Sequence, residues 1–226
     1  MREDTWLAHH LGHAALWWED GDDPRAVAAA ARERAPALAQ ARVSSADVTS
    51  LVALQDAGFR VIDATVTMAG AAPPTGTTGF DVRDAVADDA PALLEIAERH
   101  YGVSRFHRDP AIPDATAGAI KRAWLSAYFD GERGDRLLCA ARDGRPGGFL
   151  ALLLRDGVGI VDLVAVHPDA RGAGAGRALV GAIAGVAERV ERVEAGTQLA
   201  NEGAQRFYAS LGFTVAATAY VLHLHA

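Results

Sequence analysis

The run Val164-Ala-Val-His-Pro-Asp-Ala-Arg-Gly-Ala-Gly-Ala-Gly-Arg-Ala-Leu-Val180 sets an apolar strand, a proline break and a string of small residues directly ahead of a helical pattern. The first amides of a helix have no intrahelical acceptor and carry the positive end of its dipole, and glycine and alanine let an anion's oxygens reach them. Gly172, Ala173, Gly174, Ala175 and Gly176 therefore read as a phosphate cradle, with Arg171 and Arg177 as charge-assisted donors at its two ends. Such turns serve several folds, and neighbouring residues exclude two of them. A nucleoside-triphosphate loop ends in Gly-Lys-Ser or Gly-Lys-Thr, where this chain has Gly176-Arg-Ala. A dinucleotide fold opens with a parallel strand unit and places an acidic residue at the end of the next strand, where this chain has a hairpin before the turn and Thr197-Gln after it.

The cradle must be held by the strand before it and the helix after it. Ile160 to Val166 is an apolar run expected of a central strand, and Gly174 to Arg189 has helical periodicity. Upstream, Arg136 to Arg142 and Gly148 to Arg155 read as strands joined through Asp143-Gly-Arg-Pro-Gly, a hairpin signal. Phe80 to Arg83 reads as a strand, with Asp88 to His100 and Ala115 to Phe129 as helices. Downstream come strand Val193 to Thr197, helix Asn201 to Leu211 and strand Phe213 to His223. Antiparallel strands followed by strand-helix-strand-helix-strand predict an α/β (α+β) chain on a mixed, mostly antiparallel sheet with helices on both faces.

Residues 71–79 are aperiodic, rich in proline and glycine, and read as a linker. They divide a smaller N-terminal α/β segment, 1–70, from a segment spanning 80–226. The first contains a helix near Pro24 to Arg42, a helix at Leu51 to Ala57 and a strand at Phe59 to Met68. A faint repeat aligns Leu54 to Met68 with Tyr208 to Leu222 through a shared Gly-Phe-x-Val, a helix ending at glycine before a strand. As a repeat, it makes the N-terminal half a degenerate copy that has lost the glycine-rich turn and binds no second cofactor.

The pattern Val-x-Pro-x-x-Arg-Gly-x-Gly-x-Gly-x-x-Leu, followed by Asn201-Glu-Gly-Ala-Gln-Arg-Phe-Tyr-Ala-Ser-Leu-Gly-Phe213, resembles the paired signatures of the Gcn5-related N-acetyltransferase superfamily over roughly Phe80 to Ala226. The resemblance implies a splayed mixed sheet with acetyl-coenzyme A as cofactor. Its pantetheine arm would meet backbone groups of Leu163, Val164, Ala165 and Val166, its pyrophosphate would lie in Arg171 to Arg177, and Asn201 would contact the arm. Tyr208 falls where family members place a general acid. A phenol suits that role, because its unperturbed pKa near 10 is close to that of a thiol. Relatives often carry a basic carboxylate on the strand before the turn; Asp162 is the nearest candidate, while Val161 stands where glutamate is common.

The acceptor would be covered by His100-Tyr-Gly-Val-Ser-Arg-Phe-His-Arg-Asp-Pro-Ala-Ile-Pro-Asp114, which reads as too polar and proline-broken to be core. With Thr116 to Trp124, it resembles the corresponding stretch of bacterial TDP-fucosamine acetyltransferases. That resemblance implies a small-molecule amine acceptor, a TDP-linked amino-deoxy sugar, with Ser104, Arg105, Phe106 and His107 lining its site. Arg105 and Arg108 could meet a diphosphate, Phe106 could stack on a base or sugar, and His107 could bond a hydroxyl or act as a base. Other amines, including amino acids, peptides and antibiotics, and a noncatalytic acyl-coenzyme A sensor stay open.

A net charge of −7 argues against nucleic acid as a partner. The apolar runs are strand-sized, too short to cross a membrane, and the N-terminus has no signal-peptide core, so a cytoplasmic location is expected. Self-association as a homodimer stays open. His9, His10 and His13 have helical spacing but no supporting cysteine or His-Glu-x-x-His pattern, so no metal is assigned. The single cysteine, Cys139, lies in an apolar strand and reads as a buried spacer.

Overall fold

The computed structural model describes residues 1–74, 78–186 and 190–226. Residues 75–77 of the expected linker and 187–189 of the expected helix lie outside these. In chain order the elements are β1 (Arg2–Glu3), α1 (Thr5–Leu11), β2 (Ala14–Trp17), α2 (Pro24–Glu33), β3 (Ala37–Ser44), α3 (Val48–Asp56) and β4 (Arg60–Gly70). There follow β5 (Asp81–Asp84), α4 (Ala90–His100), α5 (Arg105–Arg108), α6 (Asp114–Phe129), β6 (Arg136–Arg142) and β7 (Arg145–Arg155). The chain closes with β8 (Val158–Val166), α7 (Ala175–Val186), β9 (Arg192–Gln198), α8 (Glu202–Ser210) and β10 (Thr214–His225).

The strands form one sheet in the order β1-β2-β3-β10-β4-β9-β8-β7-β6-β5. Among the described residues only the β2–β3 and β8–β9 pairs are parallel, so the sheet is the mixed, mostly antiparallel one expected. Two tight hairpins order its catalytic side. Asp143-Gly144 (φ 50° and 75°) and Asp156-Gly157 (φ 48° and 80°) put both central residues in the left-handed region, the geometry that matches the twist of β6–β7 and β7–β8.

The segments β2-α2-β3-α3-β4 and β8-α7-β9-α8-β10 follow the same course, and they exchange their last strands. β10 pairs with β3, β4 pairs with β9, and β4 and β10 pair with each other at the centre. Gly58 (φ 103°) and Gly212 (φ 86°) turn the chain at the two equivalent helix-to-strand joints. The stretch at 71–79 thus carries the chain from one half to the other, while backbone pairing runs unbroken between them.

One helix is shorter than its alanine content suggests. The helix expected over Pro24 to Arg42 ends at Glu33, and Ala37–Ser44 is β3. Pro36 has no amide to continue a helix and biases Ala35 away from helical backbone. Beyond it, burial between β2 and β10 overrides alanine's helix propensity.

The loop before α6 is not the solvated cover that its polar residues suggest. Phe106 is 0% exposed and packs with Leu7, Leu38, Ile112, Ala117 and Ile120, so it cannot stack on a ligand. Ile112, Ala117 and Ile120 follow it closely in the chain, but Leu7 of α1 and Leu38 of β3 lie more than sixty residues away in sequence, where no local pattern could reveal them. Among the described residues, no helix is long and apolar enough to cross a membrane. Phe106→Ala is expected to cost about 3–5 kcal/mol of unfolding free energy in urea titrations, as for a buried aromatic, where a solvated loop position would lose about 0.5 kcal/mol or less.

Candidate active site

The ladder between β8 and β9 stops at Val161↔Ala195, although β8 runs on to Val166 and β9 to Gln198. Outside the fork each strand stays paired, β8 to β7 as far as Val166↔Gly148 and β9 to β4 as far as Gln198↔Thr65. Leu163, Val164, Ala165 and Val166 therefore present a ladder edge that β9 does not complete. Opposite β7, Leu152 pairs with Val161 and Ala151 with Leu163, which leaves Asp162 as the extra residue of a bulge at the fork.

The glycine-rich turn follows directly. Gly172 (φ 71°) and Gly174 (φ 99°) take left-handed backbone that aims successive amides outward. Among the described residues, the amides of Gly172, Ala173, Gly174, Ala175, Gly176 and Arg177 have no hydrogen-bond acceptor. A Cβ on Gly174 would sit 3.0 Å from Thr78 Cβ, and one on Gly176 3.3 Å from the Phe207 ring, so both also let neighbouring chain approach. Six successive unpaired donors suit a pyrophosphate, and an unfinished strand edge suits an extended diamide. The residues thus fit coenzyme A along its length. Arg171 serves the turn otherwise than expected: its guanidinium donates to the carbonyls of Val166 (3.1 Å) and His100 (3.3 Å), bracing the turn against β8 and the end of α4. Arg177 reaches Ser210 Oγ at 3.5 Å and stays exposed.

Asn201 caps α8, its Oδ1 accepting from the Ala204 amide at 3.1 Å. That cap sets α8 against the fork and leaves the side-chain NH2 unpartnered among the described residues. On α8, Tyr208 is 3% exposed and packs with Phe207 and Phe213, in the same cluster as Val161 and Ala195 at the fork. Burial, with a lesser effect of Tyr101, pushes its phenol well above tyrosine's usual value, so it remains protonated in working conditions. Its hydroxyl has no hydrogen-bond partner among the described residues.

Asp162 is held differently from a free base. Arg133 donates to it through Nε (2.7 Å) and a terminal nitrogen (2.8 Å), Tyr128 through its hydroxyl (2.7 Å) and Trp124 through Nε1 (2.9 Å). Burial alone would raise its pKa, but Arg133 and the two neutral donors outweigh it and hold the carboxylate below its ordinary range. A carboxylate so engaged is a weak proton acceptor. What it does is tie α6 and the loop after it to the bulge of β8.

On the acceptor side, the four residues expected to line the site divide. Ser104 caps α5 and shares a 2.7 Å hydrogen bond with His107 Nδ1. Arg105 bonds Gln40 Oε1 at 3.2 Å and lies over the Phe106 and Trp17 rings, which commits it to the N-terminal half and not to a diphosphate. Arg108 pairs with Asp63 at 3.1 Å. Asp109 accepts from His223 Nδ1 (2.6 Å) and His225 Nε2 (2.7 Å), locking the α5–α6 loop onto β10. These three could also group around a cation, but mutual hydrogen bonding already accounts for the arrangement.

Two residues that sequence reasoning passed over adjoin Trp124, which bonds Asp162 at the fork. Lys121 on α6 lies with Nζ 4.5 Å from the Trp124 ring and 4.6 Å from that of Tyr101. Trp6 on α1 meets Trp124 edge-on at 5.8 Å, so the N-terminal half forms a wall beside this group. The signal for Lys121 was present in the composition, since it is the one lysine among 22 lysine and arginine residues. In the N-terminal half, the link from β2 to α2 carries Glu19, Asp20, Asp22 and Asp23 around a single glycine, Gly21, a charge that repels a phosphate.

Comparison with known proteins agrees with this geometry. The model of the acetyltransferase (GNAT) family matches residues 92–213. The spore coat polysaccharide biosynthesis protein SpsD of Bacillus subtilis is 31% identical over 64% of this chain and 50% of its own length. Mycothiol acetyltransferase of Kineococcus radiotolerans is 32% identical over 89% of this chain and 59% of its own length. The chain thus spans little more than half of these curated relatives. A GCN5-related N-acetyltransferase from Sphaerobacter thermophilus shares the fold, with a TM-score of 0.61 at 22% identity over 84% of this chain and 60% of that one. With its forked sheet, its open amide turn and a family match over most of its second half, the chain belongs to the GNAT acetyltransferase family, whose acyl donor is acetyl-coenzyme A.

Proposed function

We propose that the chain is an N-acetyltransferase that moves the acetyl group of acetyl-coenzyme A directly to the primary amine of a small molecule, with a TDP-linked amino-deoxy sugar as the first acceptor to test. The observation that carries it is the continuous run of open β8 edge, six unpartnered amides and unpartnered Tyr208 hydroxyl around one fork. In the transfer a neutral amine attacks the thioester carbon, the C–N bond forms and the C–S bond breaks. Tyr208 gives its proton to the departing thiolate and recovers one from the nitrogen. The dry surroundings that raise the phenol also raise the thiol, which keeps the two matched.

The relative named for polysaccharide biosynthesis supports a sugar acceptor. The mycothiol acetyltransferase, matched over more of this chain, favours a different small amine as the second reading. A thiol-release assay with acetyl-coenzyme A and a panel of TDP-4-amino sugars, amino acids and aminoglycosides decides between them. Turnover of a TDP-amino sugar is expected; turnover confined to another amine replaces the sugar, and cofactor binding with no turnover leaves a binding protein. Tyr208→Phe is expected to lower kcat about 100-fold or more while leaving acetyl-coenzyme A affinity within about twofold. An unchanged kcat would return Tyr208 to a packing role.

A further inference from the structure

Lys121 is the one lysine of the chain; every other fixed cation on its side chains is an arginine. Arginine cannot lose its proton in a protein, whereas lysine can once it is removed from water. The position is the one where that difference matters. Lys121 is 5% exposed, on the face of α6 turned to the sheet, among the rings of Trp124 (4.5 Å), Tyr101 (4.6 Å) and, farther off, Phe106 (5.9 Å). Among the described residues no carboxylate forms an ion pair with it; Asp162 acts on it only from a distance, being taken up by Arg133, Tyr128 and Trp124. Its amine has no hydrogen-bond acceptor among the described residues. Yet it is not sealed in: among the described residues, the fully enclosed side-chain polar atoms without partners are Gln40 Nε2, Asp63 Oδ2 and His223 Nε2.

The charged groups around it come from each element packed there. Arg105 and His107 face it from α5, Arg133 from the loop after α6, Asp162 from β8 and the Tyr101 phenol from the end of α4. Behind Phe106 lies His223, bonded to Asp109, and behind Trp6 on α1 lies His10. The ring faces favour an ammonium, but burial, then Arg105 and Arg133, oppose it, and the amine is pushed down to about 7. Tyr101 also connects this group to the chemistry, since it lies within electrostatic reach of both Asp162 and Tyr208.

We infer that the Lys121 side-chain amine takes the proton from the acceptor's ammonium before transfer; this rests on the acetyl-transfer reading above. The acceptor arrives as R-NH3⁺, one N–H bond passes its proton to the Lys121 lone pair, and R-NH2 is left to attack the thioester. Lys121 then returns that proton to water. The proton lost by nitrogen after attack goes by way of Tyr208 to the thiolate, so the two side chains handle different protons. An arginine at 121 could hold a carboxylate or phosphate of the acceptor but could not accept a proton.

With one lysine in the chain, protein grown on ¹³C-lysine gives a single side-chain methylene signal to titrate by NMR. A midpoint near neutrality is expected; one at lysine's ordinary value, about 10.4, overturns the inference. In the thiol-release assay, wild-type kcat/KM is expected to fall tenfold per unit as pH drops below that midpoint. Lys121→Met and Lys121→Arg, both checked for unchanged melting and acetyl-coenzyme A binding, are expected to lose about 100-fold or more and to lose the slope. Full activity in Lys121→Arg would mean that the charge binds the acceptor, and full activity in Lys121→Met that the side chain only packs; either result overturns the inference while acetyl transfer stands. A wild-type protein that binds acetyl-coenzyme A and acetylates no amine overturns both.

Discussion

A sheet that opens along its middle must find other partners for the backbone groups it parts, and this requirement organises the molecule. β8 and β9 stop pairing after Val161 and Ala195 while their outer neighbours hold on, so the fork is rigid on both sides and unfinished between them. Unpaired backbone in a protein interior is costly unless something completes it. We propose that the acetyl-coenzyme A used by the family to which the chain belongs takes that role here. The bulge at Asp162 lies at the fork, and the four hydrogen bonds to its carboxylate pin that point of the sheet to α6 and the following loop.

The N-terminal half is tied to this construction through exchanged strands. Because β10 lies between β3 and β4, the last strand of the chain belongs to the first half's core, where Leu222 and Leu224 join Leu16, Val27 and Leu54. The same half furnishes α1, whose Trp6 backs Trp124, and β3, whose Gln40 holds Arg105. Its acidic β2–α2 link and fully paired β2 give it neither a phosphate turn nor a fork. Through Trp6 and Gln40 it walls the side of the α5–α6 segment.

Most elements of the second half were legible to within two or three residues, because their cues are local; the short helix α5 was not. Asp-Gly pairs at the hairpins, alternating and continuous apolar runs, and the small residues before α7 each depend on neighbours in sequence. The acceptor side was not legible in the same way. Phe106 reads as a surface aromatic until Leu7 and Leu38 are placed against it, and Arg105 as a free cation until Gln40 is. Asp162 looked like a base because its position on the strand was visible and its partners Arg133, Tyr128 and Trp124 were not. Ala37 to Arg42 reads as helix for a related reason: one of its two sheet neighbours, β10, comes from the far end of the chain. Lys121 could have been found by composition alone, through its being the single residue of its type.

The central claim is that the open β8 edge and the amides after it act as one donor site. Residue-resolved hydrogen exchange with and without acetyl-coenzyme A measures it directly, since both parts are made of backbone N–H groups. The account predicts slowed exchange on binding both in the amides of Leu163 to Val166 and in those of Gly172 to Arg177, with those of the β2–α2 link unchanged. Binding that leaves either stretch exchanging as in the free protein would contradict it.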